Sequence, residues 1–161
     1  MLMNEKCPSW LYEVKMGATT IWERWDGLSE DGTCPISNDG TDMMISYNHY
    51  ASGAVGDFFY RRIAGIEPVT PGYKSFQICP VPGGGLTWAK AQLETPYGKI
   101  QSDWEITGGQ FRIRAMVPAG CECTLVLPDG SRERLFSGSY ERSCPILGEK
   151  GLRDEKDRRI I

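Results

Sequence analysis

The sequence predicts an α+β chain in which a small helical part, residues 1–66, precedes an antiparallel, jelly-roll-like β-sandwich, residues 67–147. Two observations predict this fold class. Apolar residues recur at helical spacing in two stretches before residue 66, whereas after it they alternate with polar residues between turn signals about ten residues apart. The remaining residues, 148–161, are dense in charge, and we expect them to be disordered.

Composition argues against several functional classes. Of the 161 residues, 40% are apolar and 24% are charged, which is typical of a soluble globular protein. A net charge of −3 gives no electrostatic reason to expect a nucleic-acid partner, and no apolar run approaches the ~20 residues of a membrane span. The N-terminus lacks a secretory signal pattern, which fits a cytoplasmic protein and fits equally a piece of a longer chain.

The six cysteines are irregularly spaced and give no metal-binding pattern. Zinc sites usually carry ligands paired with two residues between them, whereas Cys121 and Cys123 are separated by one residue. We therefore expect no metal and no other cofactor. We also expect buried free thiols rather than disulfides.

The helical part is predicted to contain two helices. The first covers residues 8–16, where Trp10, Leu11 and Val14 form an apolar face. Residues 26–46 are rich in turn formers and are predicted to be a loop. A loop of that length within a compact unit is usually functional or mobile.

The second helix is predicted from about residue 48 to residue 64, with Gly65 ending it. Its apolar face is formed by Val55, Phe58, Phe59 and Ile63. Gly53 and Gly56 each lower the helix propensity by about 1 kcal/mol relative to alanine. We therefore expect another element to pack very close to the helix at these glycines.

Strand patterns follow after two prolines and a glycine between residues 68 and 72 interrupt the helical period. Residues 80–85 are predicted to form a turn or a crossover between sheets, and Gly108-Gly109 indicates a hairpin. Trp88 and Trp104 occupy strand positions suited to the core, with stacking on carbohydrate as the other possibility.

The densest group of functional side chains is Trp22–Asp26, which lies between Gly17 and Gly27. Within these positions, two indole rings stand beside two carboxylates and a guanidinium. Flat apolar surface next to charged hydrogen-bonding groups suits a sugar. The residues alone leave a second interpretation open, in which the tryptophans belong to the core and Glu23 and Arg24 form a solvated pair.

Glu23 is the best candidate for a catalytic acid or base, because Trp22 and Trp25 would desolvate its carboxylate and favour the protonated form. His49 lies at the start of the second helix. A neutral imidazole there would donate to a ligand hydroxyl, although a surface or capping role is also compatible with the position. Asp26 is expected either to act as a cap or to hold Arg24.

Two helices are too few to enclose the aromatic residues of the helical part. These residues are Trp10, Tyr12, Trp22, Trp25, Tyr47, Tyr50, Phe58, Phe59 and Tyr60. Either they pack on the sandwich or they need helices that this chain does not contain. A helical piece that needs partners is typical of a truncated domain.

The order of these motifs resembles the C-terminal end of the bacterial inverting α-L-rhamnosidases. The specific part of the resemblance is Gly17-Ala-Thr-Thr-Ile-Trp-Glu-Arg-Trp25, accompanied by Pro8-Ser9-Trp10 and Asn48-His49-Tyr50. Weaker motifs in the sandwich are Pro118-Ala-Gly120 and Leu127-Pro-Asp-Gly130. In that family an (α/α)6 barrel precedes an antiparallel β-sandwich, which implies that residues 1–66 are the last helical hairpin of such a barrel.

The resemblance also implies roles for individual residues. Glu23 matches the family's general base, His49 matches a histidine that hydrogen-bonds rhamnose, and Trp22 and Trp25 would shape the wall of the site. Inverting hydrolysis needs a second carboxylic acid about 6.5–9.5 Å from the base. Nothing in this chain matches the family's acid, so we expect negligible hydrolysis of terminal α-L-rhamnose by this chain alone.

The expected partners are a rhamnose-containing glycoside and either the missing N-terminal part of the barrel or a second copy, bound through exposed aromatics. An alternative function also remains open. In it, the β-sandwich is a non-catalytic carbohydrate-binding or structural module.

Overall fold

The computed structural model describes residues 4–36, 40–41 and 43–146. The chain divides into two compact units, residues 1–56 and residues 57–161. The predicted disordered tail, 148–161, lies outside the described residues. Among the described residues, no helix has the length and apolar character needed to cross a membrane.

The first unit begins with helix α1, Trp10–Lys15. Ser9 caps it, since its Oγ accepts a hydrogen bond from the Tyr12 amide at 3.0 Å. The described residues between 26 and 46 form neither a helix nor a regular strand, as predicted. A 3-10 helix, Tyr50–Ala54, lies near the end of the unit.

The buried side of α1 differs from the predicted one. Tyr12 and Glu13 are buried, whereas Val14 is 66% exposed. Tyr12 is held inside because its hydroxyl donates to the Leu28 carbonyl at 2.8 Å. The loop that follows α1 therefore decides which side of this short helix is covered, and the apolar spacing that predicted Val14 was misleading.

The second helical stretch continues from the 3-10 helix into α2, Val55–Phe58, and a π-helical turn, Phe59–Ile63. Gly65 follows it with a positive φ of 80°, as expected of a residue that ends a helix. The close packing predicted at Gly53 and Gly56 is wrong for this chain, because a Cβ at either position would meet no atom within 4 Å.

In the described part of the second unit, eight strands and a short 3-10 turn, Pro71–Tyr73, follow. The strands are β1 Ile66–Pro68, β2 Ser75–Ile78, β3 Trp88–Thr95, β4 Gly98–Thr107, β5 Gln110–Val117, β6 Glu122–Val126, β7 Arg132–Leu135 and β8 Gly138–Pro145. Gly108 and Gly109 both have positive φ and join β4 to β5, which confirms the predicted hairpin.

The strands form two four-stranded sheets, in the orders β1-β2-β6-β7 and β3-β4-β5-β8. The predicted β-sandwich is therefore confirmed, and residues 80–85 are the crossover from one sheet to the other. One pairing was not predicted: β2 and β6 are parallel, with Phe76 opposite Cys123. A parallel pair needs a long crossover, and here the strands β3, β4 and β5 provide it.

The core lies between the inward faces of the two sheets and includes Ile78, Ile100, Phe111, Leu125 and Leu135. Trp104 is part of it, and its Nε1 donates to the Ile63 carbonyl at 2.8 Å. The core position predicted for Trp88 is wrong, because this side chain is 62% exposed. On β3 the alternate residues Ala89, Ala91 and Leu93 pack against the core, so Trp88 falls on the outer face.

Three of the cysteines are buried free thiols, as predicted: Cys121, Cys123 and Cys144. Burial raises the pKa of Cys123 to about 12. These thiols act as small apolar side chains of the sandwich core.

Candidate functional site

Trp22 is the buried tryptophan of the candidate site. It is only 4% exposed, and its ring meets the Tyr47 ring edge-on at 5.2 Å between centroids. Its backbone amide lies 3.5 Å from Oε2 of Glu13. Since its faces are covered within the chain, Trp22 is not free to stack on a sugar, and the structure places it behind the site as packing.

Gly27 allows the chain to turn back tightly around Trp22. A Cβ at this position would lie 3.0 Å from Cε3 of Trp22 and 3.2 Å from the Arg24 carbonyl. The Tyr47 hydroxyl donates to the Gly27 carbonyl at 2.9 Å, which fixes the turn against the second aromatic ring. The two flanking glycines of the sequence motif thus differ, because a Cβ at Gly17 would meet nothing within 4 Å.

Glu23 is held by the segment around Ser46. The Glu23 amide donates to the Ser46 carbonyl at 2.8 Å, and the Ser46 amide donates to Oε2 of Glu23 at 2.9 Å. The side chain is exposed, so the expectation that Trp22 and Trp25 would desolvate it is wrong for this chain. The result is an oriented carboxylate that faces solvent.

His49 lies on the same pair of segments as Glu23. Its amide donates to the Ile21 carbonyl at 2.8 Å, two residues before Glu23. The imidazole is partly exposed and lies parallel to the Tyr50 ring, with 6.2 Å between centroids. Its Nδ1 is covered and has no hydrogen-bond partner in the described part of the chain. A ligand hydroxyl would therefore have to meet the other ring nitrogen, Nε2.

Arg24 and Asp26 form a pair, which is one of the two roles expected of Asp26. Nε and Nη2 of Arg24 donate to the two oxygens of Asp26 at 2.9 and 2.8 Å. This guanidinium holds the pKa of the Asp26 carboxyl below its usual value. Asp26 is thereby kept ionised.

Trp25 is the second tryptophan of the motif and is 36% exposed. Its ring packs edge-on against Trp10 of α1 at 5.6 Å. One part of the indole is fixed by the helix and another part faces solvent, so Trp25 can still contact a ligand.

Glu13 is one of two residues of this region that the sequence did not indicate. It is 2% exposed, its Oε1 has no hydrogen-bond partner in the described residues, and burial raises the pKa of its carboxyl. Its place in a short helix rich in apolar residues gave no signal of burial, because charged side chains there normally face solvent. Ser46 was missed as well, since its role comes from backbone groups.

Taken together, the described side chains supply one exposed and oriented carboxylate, one partly exposed imidazole and one partly exposed indole. A second carboxylic acid able to protonate a leaving group is missing among the described residues of this unit that surround Glu23. Asp26 is ionised by Arg24, and Glu13 is buried beneath Trp22. The arrangement offers an exposed carboxylate as a hydrogen-bond acceptor, without a partner acid among the described residues around it.

Two family models match almost the whole chain. Residues 1–63 match the bacterial alpha-L-rhamnosidase 6 hairpin glycosidase domain, and residues 65–141 match the bacterial alpha-L-rhamnosidase C-terminal domain. The boundary between the two matches falls at Ala64, directly before the glycine that ends the helical stretch.

Curated relatives and solved structures give the same result. An alpha-L-rhamnosidase of Formosa agariphila is 43% identical over 136 residues, and one of Streptomyces avermitilis is 36% identical over 135 residues. Each alignment covers 84% of this chain but only 14% and 13% of the relative, so the chain spans about one seventh of the proteins it matches.

Among solved structures, the alpha-L-rhamnosidase of Aspergillus terreus superimposes with a TM-score of 0.79 at 40% identity, covering 89% of this chain and 16% of that one. The Streptomyces avermitilis alpha-L-rhamnosidase, solved in complex with L-rhamnose, superimposes with a TM-score of 0.78 at 33% identity, covering 89% of this chain and 15% of that one.

Proposed function

The chain belongs to the bacterial α-L-rhamnosidase family, in which it corresponds to the C-terminal part, and from this premise we propose that Glu23 is the general base of an inverting rhamnoside hydrolase. The observation that carries the proposal is the Glu23 carboxylate, exposed and held by the Ser46 amide beside His49. The substrate class is a glycoside with a terminal α-L-rhamnose, as the complex of the Streptomyces relative with L-rhamnose suggests.

In this mechanism Glu23 removes a proton from a water molecule as the water attacks the anomeric carbon. The attack comes from the face opposite the leaving oxygen, so the configuration at that carbon inverts. His49 Nε2 hydrogen-bonds a hydroxyl of the sugar, and the exposed part of Trp25 lies against its apolar surface. The Ser46 amide, through its hydrogen bond to Oε2 of Glu23, keeps the carboxylate in place.

The general acid comes from outside this chain. Asp26 cannot take the role, because its bond to Arg24 keeps it ionised, and Glu13 has no path to a substrate. An inverting hydrolase needs both carboxyl groups, about 6.5–9.5 Å apart. The isolated 161-residue chain is therefore inactive.

This inactivity is tested with the purified chain and an aryl α-L-rhamnoside. We expect no turnover above the uncatalysed rate. Turnover that Glu23→Gln abolishes, and that Glu30→Gln on the same loop leaves unchanged, would show that the chain contains a complete site and would overturn the proposal.

The partner that supplies the acid is the rest of the six-hairpin domain. The described residues of the matched region, 1–63, contain two helical stretches only, and aromatic residues of the second stretch are exposed: Tyr50, Phe58, Phe59 and Tyr60. In the isolated chain these residues drive self-association instead. Analytical ultracentrifugation at high concentration tests this, and a sharp monomer peak would contradict it.

A non-catalytic carbohydrate-binding role for the sandwich is the second candidate function. One observation favours it, namely the exposure of Trp88 on the outer face of a sheet. Such a role is compatible with catalysis by the whole enzyme, because the two functions would use different surfaces.

A further inference from the structure

The outer face of the sheet β3-β4-β5-β8 carries a flat and mostly polar surface. Its charged side chains are Lys90, Glu94, Lys99, Asp103, Glu105, Arg112, Arg114 and Glu141. Four of these are basic and four are acidic, so the face has no net sign. A balanced surface of this kind does not favour a polyanion such as nucleic acid.

Trp88 is the one aromatic residue on this face of the described strands. Its side chain is 62% exposed, whereas Trp104 on the neighbouring strand is buried in the core. An indole normally buries most of its large apolar surface. Within the described residues, the Trp88 side chain has no hydrogen bond and no contact with another aromatic ring.

The residues in register with Trp88 have unused hydrogen-bonding groups. Glu105 lies directly opposite Trp88, and Arg112 lies opposite Glu105 on the next strand. Both side chains are exposed, and neither has a hydrogen bond or an ion pair within the described part of the chain. Adjacent strands are about 4.8 Å apart, so the three side chains form a row about 10 Å long.

The neighbouring row, Lys90, Asp103, Arg114 and Glu141, is different, because it has no aromatic residue and several of its groups are already paired. Arg114 donates to Glu141 at 2.9 and 2.5 Å, and Gln101 donates to Asp103 at 2.6 Å. Only the row of Trp88, Glu105 and Arg112 therefore combines an open aromatic face with an acceptor and a donor that lack partners.

We propose that Trp88, Glu105 and Arg112 form a binding site for a neutral oligosaccharide, separate from the Glu23 site. A pyranose ring stacks its apolar face on the indole of Trp88. Hydroxyl groups of the next sugar donate to Glu105 and accept from Arg112 in charge-assisted hydrogen bonds. A protein partner is less well matched, because protein interfaces centre on a cluster of buried large side chains and this face has one.

The site provides the enzyme with a second binding site for a glycan chain. Its function would be to hold a polymeric or branched substrate near the catalytic domain, which raises the local concentration of cleavable ends. This inference rests on the second candidate function above, for which it names the site and the ligand class. It does not depend on the role of Glu23, since the residues of the two sites lie in different units of the chain.

The test is native affinity electrophoresis of the full chain in gels that contain a neutral rhamnan. We expect the rhamnan to retard the wild type and Trp88→Ala to raise the Kd about tenfold, with smaller losses for Glu105→Gln and Arg112→Gln. Phe136→Ala is the matched control, because Phe136 is an aromatic residue of similar exposure, 57%, that follows a strand of the other sheet.

Several results would overturn the proposal. These are an unchanged Kd for Trp88→Ala, a loss of binding in Phe136→Ala instead, and retardation of the wild type by anionic polygalacturonate alone. Glu23→Gln and His49→Ala separate the two sites: Trp88-dependent retardation that persists in both variants supports this inference, whatever their effect on rhamnoside hydrolysis.

Discussion

Gly65 joins the helical stretch to the sandwich, and replacing it with alanine should destabilise the second unit strongly. Its φ of 80° is a left-handed conformation that costs a residue with a Cβ roughly 1–2 kcal/mol. A Cβ built here would also lie 2.2 Å from the Pro80 nitrogen and 2.3 Å from the Cys79 carbonyl carbon. These are backbone atoms, and no flexible side chain can move aside to relieve the clash.

Gly130 provides the matched control, because it has the same backbone conformation without the contact. Its φ is 86°, and a Cβ there would meet no atom within 4 Å. Gly130→Ala should therefore lower the free energy of unfolding only by the cost of the left-handed conformation, about 1–2 kcal/mol. Gly65→Ala should lower the free energy of unfolding by about a further 1–3 kcal/mol, because the backbone must shift by nearly 1 Å to accommodate the new methyl group.

Urea unfolding followed by tryptophan fluorescence measures both free energies of unfolding, and Trp104 in the sandwich core reports the transition. The difference between the two variants should also appear as a Tm lower for Gly65→Ala by at least about 4 °C. An equal decrease in the free energy of unfolding in the two variants would refute this reasoning, because the backbone at Pro80 would then move aside without an energetic cost.

Two further predictions concern buried titratable groups. Glu13→Gln should stabilise the chain by about 1–2 kcal/mol at pH 7, because it removes a carboxylate that is buried without a full set of partners. The folded state raises the pKa of Glu13, so the contribution of this group to stability is fully present below the ordinary value of 4.5 and is lost as the pH rises through the raised value. The extra stability of Glu13→Gln over the wild type, measured by thermal unfolding, should therefore vanish near pH 4. An equal gain at pH 4 and pH 7 would contradict this reasoning. Cys123, with its pKa at about 12, should not react with a thiol reagent at pH 8 until urea unfolds the chain, and rapid labelling of the native protein at this residue would be the opposite result.

The sandwich was the most predictable part of the molecule, because alternation along a strand and turn residues are local signals. The turn at Gly108-Gly109 follows directly from the need for positive φ at both positions. The parallel pairing of β2 with β6 did not follow, since their partnership depends on how distant parts of the chain return to the same sheet. Trp88 was assigned to the core for a related reason: the face of a strand that points inward is set by register, which the residue type does not reveal.

The residues that cluster at the candidate site could be predicted from the sequence, but the arrangement and burial of their side chains could not. The motif around Trp22 and Glu23 indicated the candidate site. Of the two roles expected of Asp26, a cap or a partner of Arg24, the structure shows the second. The exposure of Glu23 and the burial of Glu13 were both unexpected, because they depend on the tertiary path of the loop back to Ser46. The desolvation expected around Glu23 would have to come from groups that this chain does not supply.

The central claim is that Glu23 is the base of a rhamnoside hydrolase, and a segment exchange tests it most directly. The matching segment of the Streptomyces avermitilis relative, which is 36% identical over 135 residues, is replaced by this chain, with the unmodified relative as reference. The hybrid should hydrolyse an aryl α-L-rhamnoside with inversion, and Glu23→Gln should lower its kcat by at least about 100-fold, while Glu30→Gln leaves it unchanged. A Glu23→Gln hybrid that retains the kcat of the parent hybrid would contradict the account.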